Sequence, residues 1–187
     1  MVYSSTFLSP IGEIYLTADE VGITGVWLDS CRFLPKELES IEKAETPIIS
    51  ECKRWLDIYF GGKEPNFTPP LNPTGTPFQT EVWKILSAIP YGKTTTYGDI
   101  AKELARRRGI SKMSAQAVGN AVGRNKISVI IPCHRVIGGS GSLIGYGGGL
   151  DKKVYLLKLE GVLSDTQKYE SLQGKISERK GYNRGRD

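Results

Sequence analysis

The apolar positions of the chain follow two periods. Residues 2–8, 13–19 and 22–28 are short runs of β-branched and aromatic residues, parted by Ser9-Pro10-Ile11-Gly12 and Asp19-Glu20-Val21-Gly22. Strand side chains alternate between two faces, and breaks of this composition favour turns, so the runs predict an antiparallel meander. From Thr46 the period lengthens. Thr46 supplies an N-cap, Pro47 suits the first helical position, and Ile48, Cys52, Trp55 and Tyr59 recur at helical spacing as far as Gly61-Gly62. Residues 1–62 should form a small antiparallel sheet with one helix packed on it. Pro65, Pro69, Pro70, Pro73 and Gly75 then resist helix and sheet alike, which makes 63–75 an extended, semi-rigid linker at a domain boundary.

Residues 76–161 read as a second, mainly helical domain, so the expected class is α+β. Thr76, Pro77 and Gln79 form a capping-box pattern, and Phe78, Val82, Ile85, Leu86 and Ile89 face one way until Pro90-Tyr91-Gly92. A second helix starts at Thr96 or Tyr97, turns Ile100, Ala101, Leu104 and Ala105 inward, and ends in Arg106, Arg107 and Arg108. A third, Ser114 to Gly123, buries Ala115, Val118 and Val122 and presents Gln116 and Asn120, with Arg124 and Lys126 beyond it. Two short helices joined by a tight turn have the outline of a helix-turn-helix in a winged-helix-like domain, although any helical hairpin shares that outline. The apolar run Ile127 to Ile131 predicts a buried strand. Glycines at 138, 139, 141, 145, 147, 148 and 149 make a pliable loop, and Leu150, Val154 and Leu157 mark a last helix that puts Glu160 in its final turn before Gly161. The tail, 162–187, carries a weak stripe of Tyr169, Leu172 and Ile176 and reads as basic and partly disordered.

Charge divides the chain near the same boundary. The net charge is +5, yet residues 1–76 hold 6 basic and 11 acidic side chains, 77–161 hold 13 and 5, and 162–187 hold 6 and 4. A positive field confined to one segment suits a polyanionic partner such as DNA. Three cysteines, Cys31, Cys52 and Cys133, make neither an even set nor a Cys-x-x-Cys pair, which fits a reducing compartment. One histidine leaves no zinc site, and the glycine loop lacks the Lys-Ser/Thr of a nucleoside-triphosphate cradle, so neither metal nor cofactor is expected. Residues 1–17 lack a basic stretch followed by an apolar core, and no apolar run approaches the ~20 residues that cross a bilayer. Nothing is therefore expected to export or anchor the chain, and the expected location is cytoplasmic, or nuclear in a eukaryote.

The only histidine, His134, stands beside Cys133 in Ile131-Pro132-Cys133-His134-Arg135-Val136. A free thiol ionises near pH 8.5, so a neutral-pH nucleophile needs a neighbour to take its proton, and imidazole is the usual one. A Cys-His pair alone leaves two readings open, a reactive thiol or a small buried hydrophobe. Cys52, on the helical stripe, reads as core. Adjacent side chains of an extended segment point apart, so His134 would reach Cys133 through a water, and Glu160 would orient the far ring nitrogen in a relay of Glu160, His134, water and Cys133.

With Asn125 upstream, Tyr146 and Gly148 downstream and Leu159-Glu160-Gly161 beyond, this segment resembles the O6-alkylguanine-DNA alkyltransferases, also called methylated-DNA–protein-cysteine methyltransferases, from about Thr76 to Gly161. The resemblance implies the same relay and a single-turnover DNA repair reaction, in which Cys133 takes the alkyl group of O6-alkylguanine from a flipped-out base of double-stranded DNA and keeps it as a thioether. It further implies that Asn125 braces the active-site turn and that Tyr97 acts near the target phosphate and guanine edge. The carbonyls of Cys133 and Val136 would accept from the exocyclic amine, and Tyr146, Gly147 and Gly148 would close over the ring. Unaided, Tyr97 and Tyr146 read equally as packing aromatics. Gln116, Ala117, Asn120 and Arg124 would meet DNA, the protein acting as a monomer. One departure stands out: the family's Ala-Arg-Ala-Val-Gly, whose arginine fills the gap left by the flipped base, is here Ala115-Gln116-Ala117-Val118-Gly119. A non-catalytic lesion-binding relative would lack the cysteine, a hydrolase would place its histidine far away in sequence, and a pure regulator would not need Pro132-Cys133-His134.

Overall fold

The computed structural model describes residues 1–164, and the remainder of the basic tail, with its weak helical stripe, lies outside the described residues. Strands β1 (Tyr3–Ser9), β2 (Gly12–Ala18) and β3 (Ile23–Leu28) form the expected antiparallel meander. Gly12, at φ +108°, makes the β1–β2 turn possible. A fourth strand, β4 (Glu42–Lys43), pairs parallel to β1, so the sheet has the order β3-β2-β1-β4 and is not wholly antiparallel. Two residues cannot display a period, which is why β4 escapes the pattern. Helix α1 (Pro47–Phe60) starts where Thr46 Oγ1 accepts from Ile49 N at 3.2 Å. It buries Ile49, Cys52, Trp55, Leu56 and Tyr59, and burial pushes the Cys52 thiol up to about 12, as suits an inert core residue.

The proline-rich stretch does not hang free. Ile23 N donates to Pro70 O and Asn72 N to Ile23 O, both at 2.8 Å, so this segment lies along β3. Further along β3, Val26 N donates to Lys126 O at 2.8 Å and Ser128 N to Val26 O at 2.9 Å. The edge strand is thereby covered by the linker and by the approach to Cys133, which seats the reactive turn against the N-terminal sheet. The apolar core is accordingly continuous, running from Ile14, Leu16 and Leu56 to Val82, Leu104, Val118 and Ile131.

Helix α2 (Pro77–Ser87) carries the full capping box, Gln79 N donating to Thr76 Oγ1 and Thr76 N to Gln79 Oε1. Strand β5 (Thr95–Thr96) leads into α3 (Tyr97–Arg108), and α4 (Ala115–Gly123) follows Ser114, whose hydroxyl caps it. Residues 109–114 join the two helices, a longer connection than the tight turn expected, entered through Gly109 at φ +64°. Trp83 Nε1 donates to Ala121 O at 2.9 Å and fixes α4 to α2. The predicted strand 127–131 is a buried turn with a single bridge from Ile127 to Val26. Val129 adopts φ +70°, an uncommon state for a β-branched residue, and a turn is closed by Ile131 N donating to Ile127 O at 3.0 Å. An unbroken apolar run signals burial but not conformation. The Cys133 segment is likewise not extended: Cys133–Arg135 form one 3₁₀ turn, followed by β6 (Val136–Ile137), which pairs parallel with β5, and by α5 (Leu150–Leu159).

Candidate active site

The turn before the thiol is built around one amide. Asn125 lies just past α4 and is buried. Its Nδ2 donates to Ile131 O at 2.8 Å, Ile127 O at 3.3 Å and Cys133 Sγ at 3.3 Å, and its Oδ1 accepts from Ile127 N at 3.0 Å. One side chain thus stands in for the backbone bonds that the bent 127–133 segment cannot make to itself, and it directs an N–H at the sulfur. Burial pushes the Cys133 thiol up, while the Asn125 amide and the Lys153 ammonium pull it down, and the balance is a raised value. In the resting site the thiol keeps its proton.

His134 is fully buried, and desolvation holds its pKa below the usual imidazole value against the pull of Glu160. Its Nε2 lies 2.7 Å from Glu160 Oε1. Glu160 is not an exposed group at a helix end but a buried C-cap of α5. Arg135 Nε donates to its Oε2 at 2.9 Å and Nη2 to its Oε1 at 3.0 Å, Tyr59 Oη donates to Oε1 at 2.7 Å, and Gly92 N to Oε2 at 3.2 Å. Burial alone would raise the carboxyl, but the bonds from His134, Arg135 and Tyr59 outweigh it and hold Glu160 at about 2. An ionised Glu160 accepts, so Nε2 carries the proton and Nδ1 is the basic nitrogen. Among the described residues two buried side-chain polar atoms lack a hydrogen-bond partner, His134 Nδ1 and Tyr146 Oη, and both belong to this site.

The glycine loop is fastened from three sides. Tyr97 Oη donates to Ile144 O and Gly145 O, each at 3.2 Å, from the first residue of α3. Ser30 Oγ donates to Gly148 O at 2.6 Å and Arg32 N to Gly147 O at 3.2 Å, from the segment after β3. Lys153 Nζ, buried within α5, donates to Val136 O at 2.6 Å and Ile144 O at 2.8 Å, and burial brings its pKa down to about 8. Gly148 packs closely against β3, since a Cβ there would lie 2.4 Å from Leu28 Cδ1 and the buried leucine would have to shift. Beside this loop opens a cleft of about 940 Å³ that brings together Gln116, Asn120, Arg124, Tyr97, Tyr146 and Gly147. Ala117, half-buried, does not line it. Arg32 and Phe33 reach its rim from the N-terminal half, and the Arg124 guanidinium lies 4.4 Å from the Phe33 ring centroid. Arg106 and Arg107 pair with Glu103, and Arg108 with Glu81, so the end of α3 is less charged than its sequence suggests.

A scaffolded thiol, an imidazole with one bare nitrogen and a cleft beside an α3–α4 pair are the parts of a DNA-directed thiol transferase. Residues 2–73 match the 6-O-methylguanine DNA methyltransferase ribonuclease-like domain, and 77–162 match the 6-O-methylguanine DNA methyltransferase DNA binding domain. The chain belongs to the 6-O-methylguanine DNA methyltransferase family. The methylated-DNA–protein-cysteine methyltransferase of Methanosarcina acetivorans is 44% identical, over 86% of this chain and 99% of its own. The constitutive methylated-DNA–protein-cysteine methyltransferase of Bacillus subtilis is 37% identical over 86% and 96%. The crystal structure of Mycobacterium tuberculosis OGT in complex with DNA superposes with a TM-score of 0.73 at 38% identity, covering 84% of this chain and 92% of that one. Within this 6-O-methylguanine DNA methyltransferase family member, three site residues carry no separate sequence signal. Arg135 sits inside the Pro132–Val136 motif with nothing in the sequence to separate its role from its neighbours', Tyr59 looks like core on its stripe, and Lys153 is a cation on the inward face of α5. A lysine beside the inward Val154, with Leu156 and Leu157 also buried, is the one hint that a sequence reading could have used. Among the described residues no helix is long and apolar enough to cross a membrane, and no cluster of side chains could hold a metal.

Proposed function

We propose that this protein repairs double-stranded DNA by moving the alkyl group of O6-alkylguanine onto Cys133 Sγ, one protein molecule being consumed per lesion. The observation that carries the reading is the bare Nδ1 of buried His134, whose opposite nitrogen is committed to an ionised Glu160. The Cys133 proton passes through a bridging water to Nδ1. The new imidazolium is stabilised by Glu160, and the thiolate by the Asn125 N–H and the Lys153 charge. The thiolate attacks the alkyl carbon, an S–C bond forms as the C–O6 bond breaks, and its electron pair returns to the purine, which becomes guanine on taking up a proton. A thioether is a poor leaving group, so no second step regenerates the thiol.

A base stacked in a duplex cannot reach a buried sulfur, so the nucleotide is flipped into the site. Gln116, Ala117, Asn120 and Arg124 meet the DNA, with Gln116 at the vacated stack. Tyr97 lies near the target phosphate, the carbonyls of Cys133 and Val136 accept from the guanine amine, and Tyr146, Gly147 and Gly148 cover the ring. Val136 O already accepts from Lys153, and its second lone pair serves the base. The protein acts as a monomer without cofactor and with the chromosome, in the cytoplasm or in a nucleus. Cys133→Ser should abolish transfer of a labelled alkyl group while leaving duplex binding within about twofold by mobility shift, because charge and helix contacts supply the affinity. Retained transfer in this variant would remove Cys133 as the acceptor.

A further inference from the structure

We propose that Tyr59, supplied by α1 of the N-terminal half, is a positioning residue of the proton relay, holding His134 in the tautomer whose Nδ1 is free to take the thiol proton. The inference rests on the relay put forward above and gives the N-terminal half a part in it. Tyr59 Oη lies 2.7 Å from Glu160 Oε1 and 3.3 Å from His134 Nε2. Its ring cannot swing away. It is fully buried, stacks on Trp55 at 5.2 Å between centroids, and meets Phe60 and Tyr91 edge-on at 5.4 and 6.1 Å. Glu160 is ionised, so the phenol proton is committed to Oε1, and burial beside that carboxylate keeps the phenol from ionising. The hydroxyl oxygen can then only accept from Nε2.

Nε2 therefore faces two oxygens, one anionic and one neutral, and each favours a proton there. A bare Nε2 would set its lone pair against those of Glu160 Oε1 and Tyr59 Oη. Once the thiol proton arrives on Nδ1, the same two oxygens stabilise the imidazolium. Arg135 donates to both carboxylate oxygens and Gly92 to Oε2, and in the network described the His134 ring meets Glu160 and Tyr59 alone, so Tyr59 is the group that links carboxylate placement to ring placement.

Tyr59→Phe removes one oxygen and keeps every ring contact, and Glu160 Oε1 retains His134 and Arg135 as donors. The rate of alkyl transfer from free O6-alkylguanine base, which needs no DNA contact, is measured from pH 6 to 10 in wild type, Tyr59→Phe, Glu160→Gln and the double variant. Tyr59→Phe should be slower near pH 7 by roughly fivefold, or about 1 kcal/mol at 1.36 kcal/mol per tenfold. The deficit should fall below about twofold once the thiol ionises without help, and should add less than about twofold in the Glu160→Gln background. A deficit of equal size at every pH, an undiminished one beside Glu160→Gln, or no deficit at all would overturn the role of Tyr59 while leaving the relay standing. Wild-type rates for Glu160→Gln at every pH would instead overturn the relay.

Discussion

Replacing Arg135 by methionine tests whether the buried network holds the fold together as well as the histidine. The guanidinium makes two bonds to Glu160, at 2.9 and 3.0 Å, and a third from Nη1 to Ile89 O at 2.6 Å, and only 8% of the residue is exposed. Methionine keeps an unbranched apolar stem beside Tyr91, whose ring centroid lies 5.7 Å from the guanidinium. What is lost is the positive charge and the fork. Removing one partner of a buried ion pair typically costs about 3–5 kcal/mol. Glu160 keeps His134, Tyr59 and Gly92 as donors, so the lower end, about 3 kcal/mol, is expected. For a chain of this size that corresponds to a fall in Tm of roughly 10 °C. Urea unfolding at pH 7 gives the first number directly. The pH series gives the sign. A carboxyl held at about 2 contributes stability that is fully present above its unfolded pKa, near 4.5, and is lost as pH falls toward 2. Without Arg135 the carboxyl ionises less readily, so the gap between variant and wild type should narrow as pH drops from about 5 to 3. A deficit below about 1 kcal/mol at pH 7, or a gap that stays constant on acidification, would refute the reasoning.

Gln116→Arg should speed repair of duplex substrate several-fold, at a gain of about 1 kcal/mol, because a guanidinium stacks on bases and is drawn to the groove. Reaction with free O6-alkylguanine base should be nearly unchanged, and equal effects on both substrates would show that residue 116 acts elsewhere. Duplex affinity should fall steeply between about 50 and 200 mM salt with little dependence on sequence, since residues 77–161 hold 13 basic side chains against 5 acidic. A flat titration would remove phosphate contacts as the source of affinity.

Where a structural feature rests on local chemistry, the sequence displays it. Thr46-Pro47, Thr76-Pro77-Gln79 and Ser114 satisfy the first N–H groups of their helices with neighbouring atoms, and these starts were legible. The pairing of 70–72 and 126–128 along β3 was not, because a hydrogen bond between distant segments leaves no pattern in either. The same divide runs through the site. Cys133, His134 and Asn125 lie within ten residues and carry a motif. The partners that give His134 its tautomer come from Glu160, 26 positions away, and from Tyr59, 75 positions away, where a tyrosine and a phenylalanine are equivalent to a hydrophobic stripe. Val129 shows the converse: its positive φ is imposed by the turn that Asn125 braces, against the residue's own preference for extended backbone.

Intact-protein mass after incubation with duplex DNA containing O6-methylguanine, followed by peptide mapping, tests the transfer most directly. One methyl group per protein molecule is expected, on the peptide that holds Cys133, rising to a plateau equal to the lesion supplied. An unmodified protein with the lesion removed, a methyl group on Cys31 or Cys52, or repair of many lesions by one molecule would contradict it.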